Sequence, residues 1–67
     1  MPVENELRVY RARYDLTQAE LAVEVGVSRQ TINAVETGKY NPSLELALKL
    51  ANRFDVAVEE LFTLREG

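Results

Sequence analysis

Apolar residues recur along this chain at spacings of three and four, and no segment shows strict alternation with polar ones. That period puts them on single faces of helices, whereas a half-buried strand needs a period of two. The whole chain therefore reads as helical. A first helix is expected from Val3 or Glu4 to Arg13, with Leu7, Tyr10 and Tyr14 on one face and Arg11 at its edge. Asp15 and Leu16 make the connection. In "TQAE", Thr17 stands as an N-cap with Glu20 three residues later. This capping-box signature opens a second helix over about 17–25. Its stripe is Leu21, Ala22 and Val25, and Gly26 ends it by adopting the left-handed conformation.

Ser28 caps a third helix over about 28–37, anchored by Ile32 and Val35 and ended by Gly38. "KYNPS" is a loop in which Pro42 bars the next helix from extending backward. The fourth helix, about 43–53, carries a stripe of Leu44, Ala47, Leu48, Ala51 and Phe54. Leu46 and Leu50 widen it enough to suggest burial on more than one side. A short fifth helix, about 58–63, carries Leu61 and Phe62. Ala57 is a poor N-cap, so this end is expected to fray into a loose tail over 64–67. The fold class predicted is all-α: one compact five-helix domain spanning 1–67.

The length, 67 residues, suits one domain, and cores this small need help from disulfides, metal, close helix packing or association. With no Cys and no His, disulfides and thiolate or imidazole metal sites are excluded. No metal or cofactor is expected. No apolar run suggests a signal peptide or a membrane span, which points to a cytoplasmic protein. An enzyme is not expected either: Ser28 and Ser43 sit where capping explains them, and a chain this short has little room for a pocket. The net charge of −3 argues against nucleic acid when taken globally. Its distribution matters more, because no acid occurs between Glu24 and Glu36.

Two short helices joined by about three residues around Gly26 must cross sharply, at about 90–120°. Small Ala22 stands one turn before Gly26, and Val25, Val27, Ile32 and Val35 fill the angle. An ordinary helical corner needs only the glycine. The joint occurrence of Ala22, Gly26, Ile32 and Val35 points to a DNA-binding helix-turn-helix. The stretch "TQAELAVEVGVSRQTINAVETGK", followed by "NPSLELALKLANRFDV" and "VEELF", resembles the phage repressor/Cro (Xre-type) helix-turn-helix family. The resemblance covers roughly Leu7 to Phe62. It implies a lambda-repressor-like fold and operator binding.

With Ile32 facing the core, Arg29, Gln30, Asn33, Ala34 and Thr37 occupy the outer arc of the third helix. The B-DNA major groove, about 12 Å wide, admits one helix, and its base edges are read by Arg, Asn and Gln. A solvated face is the plainer alternative, but the other solvated faces carry Glu freely. The resemblance assigns base contacts to Arg29, Gln30 and Asn33, and phosphate contacts to Thr31 and Thr37. Arg29 could equally clamp a phosphate. The start of the second helix, at Thr17 and Gln18, suits an anion. Gln18 could instead be only a good helix former there. Lys39, Tyr40 and Asn41 are further phosphate candidates, although Tyr40 could serve as a loop anchor.

The resemblance also implies a structural ion pair between Arg11 and Glu36. Similar repressors bind paired half-sites as two-fold dimers, about 34 Å apart. The homodimer surface would come from Leu46, Leu50, Val56, Val58, Leu61, Phe62 or Leu64, unless these simply complete one core. The expected partners are thus double-stranded DNA and a second copy. The second reading is a protein-interaction module of the same fold, of antitoxin or coactivator type, with a protein partner.

Overall fold

The computed structural model describes residues 3–65. Its elements are β1 (Val3–Asn5), α1 (Leu7–Arg13), α2 (Gln18–Val25), α3 (Arg29–Glu36), α4 (Leu44–Arg53), α5 (Val58–Leu61) and β2 (Phe62–Leu64). Three of the helices start on side-chain caps. Thr17, Ser28 and Ser43 accept from the backbone N–H of Glu20, Thr31 and Leu46 at 3.0–3.1 Å. At α2 the Glu20 carboxylate returns the bond to the Thr17 N–H at 2.8 Å, completing the capping box.

Four helices end on one device. A residue in the left-handed region turns the chain, and the next N–H bonds back to a carbonyl five residues earlier, the Schellman closure. The bonds are Leu16 to Arg11, Val27 to Ala22, Lys39 to Ala34 and Val56 to Ala51, at 2.9–3.0 Å. Gly26 (φ 77°) and Gly38 (φ 79°) make two of the turns, and Asp15 (φ 55°) and Asp55 (φ 56°) the other two. Leu16, Val27 and Val56 then fold back onto the core. At α3 the corresponding residue is Lys39, which stays in solvent.

The expectation of helix from Val3 or Glu4 is corrected. Val3–Asn5 is a strand, paired antiparallel with Phe62–Leu64 in the register Val3↔Leu64, Glu4↔Thr63, Asn5↔Phe62. Asn5 breaks the helix: its Oδ1 accepts from the Leu7 N–H at 3.1 Å and its Nδ2 donates to the Val35 carbonyl at 2.9 Å. The Glu6 N–H donates to the Leu61 carbonyl at 2.9 Å, so the segment before α1 is tied to the end of α5. For the same reason α5 stops at Leu61, and Leu64 belongs to a strand and not to a loose tail. Residues 66–67 of the expected tail lie outside the described residues.

The core is Leu7, Leu21, Ala22, Val25, Ile32, Val35, Leu46, Leu50, Phe54 and Leu61. On α4 the buried face is Leu46, Ala47, Leu50, Ala51 and Phe54, whereas Leu44 is 74% and Leu48 47% exposed. The Leu44–Leu48 row continues into Asn52, whereas the Leu46–Leu50 row continues into Phe54, and the longer apolar row wins the core. Tyr14 lies against the Phe54 ring, centroids 5.2 Å apart, and its hydroxyl donates to the Phe54 carbonyl. An Arg53–Glu24 ion pair joins α4 to α2.

Candidate nucleic-acid interface

The corner between α2 and α3 forms as its residues require. Gly26 takes the left-handed turn, and Ala22 is buried where the helices approach. Buried Ile32 and Val35 orient α3. Arg29, Gln30, Asn33 and Thr37 are then exposed together, and Thr31 and Ala34 are half-buried at the margins. The predicted base-reading residues therefore share one outward face without an acid. Arg29 lines an open cleft beside the first turn of α2, with Arg11, Thr17, Gln18 and one acid, Asp15, among its walls. Lys39, Tyr40 and Asn41 are exposed in the loop that follows α3.

Several predicted phosphate donors are committed within the fold. The Thr17 N–H is held by Glu20, and the Thr37 hydroxyl donates to the Asn33 carbonyl at 2.9 Å. The Thr31 hydroxyl lies 3.0 Å from that of Ser28. Hydrogen bonds from the Thr17 backbone and hydroxyl hold the exposed Glu20 carboxyl below its ordinary pKa. This keeps a negative charge near the start of α2.

Behind the face lies the predicted ion pair. Arg11 Nε donates to Glu36 Oε2 at 2.7 Å, Nη2 donates to Oε1 at 3.3 Å, and Nη1 donates to the Leu16 carbonyl at 2.8 Å. The Glu36 side chain is 1% exposed. Arg8 adds a longer contact at 3.9 Å. Burial by itself raises the Glu36 pKa. Hydrogen bonds from Arg11 and Gln18, with the charges of Arg11 and Arg8, outweigh it and leave the carboxyl below its ordinary value.

Gln18 joins this pair to the outer face. Its Nε2 donates to Glu36 Oε1 at 3.0 Å and to Asn33 Oδ1 at 3.2 Å. Neither of the two roles expected for Gln18, phosphate donor or exposed helix former, included this. Residues 18, 33 and 36 meet only through the α2–α3 crossing, so no local pattern announces them.

The dimer candidates separate by burial. Leu46, Leu50 and Leu61 belong to the core and offer no surface. Val56, Val58 and Phe62 are half-buried, and Leu64 is 62% exposed. No helix among the described residues is long and apolar enough to cross a membrane.

A helix-turn-helix family model matches residues 7–61, most of the chain. The chain belongs to the Xre-type helix-turn-helix family. It is 55% identical to an uncharacterized HTH-type transcriptional regulator of Methanocaldococcus jannaschii over 90% of this chain and 91% of that one. It is 39% identical to the cryptic phage CTXphi transcriptional repressor RstR of Vibrio cholerae, over 85% of this chain and 51% of RstR. Among solved structures it is similar to the restriction-modification controller protein C.AhdI of Aeromonas hydrophila. That likeness has a TM-score of 0.74 and 39% identity, over 81% of this chain and 82% of that one. As an Xre-type helix-turn-helix regulator the chain is a DNA-binding, non-enzymatic protein of transcription control. The short β1–β2 sheet is an addition to its five helices.

Proposed function

We propose that this regulator is a sequence-specific repressor that inserts α3 into the major groove and binds paired half-sites as a cytoplasmic homodimer. The observation that carries the reading is the acid-free face of Arg29, Gln30 and Asn33, exposed together on a helix fixed by Ile32 and Val35. These side chains are the types that read guanine and adenine edges. Lys39, Tyr40, Asn41 and the free N–H groups in the first turn of α2 supply phosphate contacts at its margins. Similarity to RstR supports repression as the outcome.

The dimer draws on part of the apolar surface that the fold leaves uncovered: Leu44, Leu48 and Leu64, with half-buried Val56, Val58 and Phe62. One unit measures 33 × 22 × 21 Å. Two units set along the longest dimension, 33 Å, would have centres near the half-site spacing of about 34 Å.

A protein-interaction module is the second reading, favoured by the net charge of −3 and by the same uncovered leucines. Titration with random duplex DNA at about 50 and 200 mM salt separates the two. The groove reading expects binding at low salt that weakens steeply at high salt. No binding at low salt would favour the interaction module.

A further inference from the structure

Glu36 does not reach the outer face of α3, yet it is two hydrogen bonds away from it. An ionised carboxylate oxygen can only accept. The atom 3.0 Å from Glu36 Oε1 must therefore be the nitrogen of the Gln18 amide and not its oxygen. That nitrogen carries two hydrogens and offers no acceptor. With one hydrogen on Glu36, the other points at Asn33, 3.2 Å away, so Asn33 must present its oxygen there. Its Nδ2 is then turned away. Among the described residues Nδ2 has no hydrogen-bond partner, and Asn33 is exposed. A lone surface asparagine has no such bias, because the two ends of its amide are nearly alike in shape. The charge of Glu36 is thus passed through two amides as hydrogen-bond polarity.

Resting on the reading that α3 enters the major groove, we propose that Glu36 and Gln18 set sequence specificity at the base facing Asn33, by holding its Nδ2 outward as an obligatory donor. Guanine offers O6 and N7 as acceptors in the major groove, adenine N7 and thymine O4, whereas cytosine offers only the N4 donor. The base facing Asn33 is therefore not cytosine. Discrimination against it is on the order of fivefold, the low end of the range for a bidentate pair, because only Nδ2 makes the contact. Glu36 and Gln18 act as positioning residues. Buried Glu36 touches no base, and Gln18 acts through Asn33.

The test is selection from a random duplex pool by the full chain and by three variants. Asn33→Ala identifies the base pair that Asn33 reads, as the one whose preference disappears. At that pair the wild-type chain is expected to discriminate among the four base pairs. Gln18→Ala and Glu36→Gln are both expected to flatten the same preference, while preferences elsewhere in the site change by less than about twofold.

Equal weakening for all duplexes with unchanged preferences, as a plain phosphate contact by Gln18 would give, overturns the proposal. So does a preference at that pair that Asn33→Ala removes but Gln18→Ala leaves intact. Thermal melts accompany the selection. If Glu36→Gln fails to fold, Gln18→Ala decides alone, because it leaves the Arg11–Glu36 pair in place. Absence of enrichment by the wild-type chain overturns the groove reading itself, a result distinct from enrichment with unaltered preferences.

Discussion

Arg11 meets Glu36 side-on across the contact between α1 and α3, with Nε 2.7 Å from Oε2 and Nη2 3.3 Å from Oε1. The glutamate side chain is 1% exposed and the arginine 18%, so neither charge has ready access to water once its partner is gone. Arg11→Ala or Glu36→Ala should each destabilise the domain by about 3–5 kcal/mol. For a small domain that is most of the available stability. Urea unfolding measures it. The double variant Arg11→Met with Glu36→Leu should recover most of the loss, because no unpaired buried charge remains. Single variants within about 0.5 kcal/mol of wild type would show that the pair bears little on folding.

Stability should also fall in acid, and the sign follows from Glu36. Its folded pKa is lowered, by the bonds and charges of Arg11, Gln18 and Arg8 acting against the effect of burial. A lowered folded pKa contributes stability that is complete above the unfolded value of about 4.3. That contribution disappears as pH falls through the folded value. Glu20 shifts in the same direction through its bonds from Thr17. Urea midpoints should stay level from about pH 8 to pH 5 and drop below about pH 4. The drop should be smaller in Glu36→Gln. A midpoint that rises on acidification would contradict the assignment.

Asp15 and Asp55 hold left-handed turns that glycine holds at positions 26 and 38. A Cβ in this region is strained, and glycine relieves it at some entropic cost. Asp15→Gly and Asp55→Gly should therefore each stabilise by about 0.5–1 kcal/mol. For this size of domain that is a Tm rise of about 2–8 °C. The two sites cap different helices and should add. A lower Tm in both variants would mean that the aspartate side chains contribute more than their strain costs.

Much of this architecture can be read from the chain because it is encoded within one helical turn. Thr17 with Glu20, Ser28 and Ser43 mark helix starts, and Gly26 and Gly38 mark helix ends. The exposed face of Arg29, Gln30 and Asn33 follows from the position of Ile32 alone. What escapes such reading depends on distant partners. Three residues at each end are too few to show alternation, so the β1–β2 pairing is silent in the sequence. On α4 the sequence stripe joins Leu44 and Leu48 to Phe54. Only the packing shows that Leu46 and Leu50 share the buried side with Phe54 while Leu44 and Leu48 stay outside. Aspartate at a left-handed turn carries no unique signal, since it is equally common on solvated surfaces. The bond from Gln18 to Asn33 spans fifteen positions and exists only because two helices cross.

In the complex, the face of α3 bearing Arg29, Gln30 and Asn33 should lie in the major groove. Intermolecular nuclear Overhauser contacts in a complex with a selected duplex read this out. The expected result is contact from the Arg29, Gln30 and Asn33 side chains to thymine methyl and cytosine H5 protons, which line the major groove. Contacts from these side chains only to adenine H2 protons in the minor groove, or DNA contacts confined to α4 and α5, would contradict it.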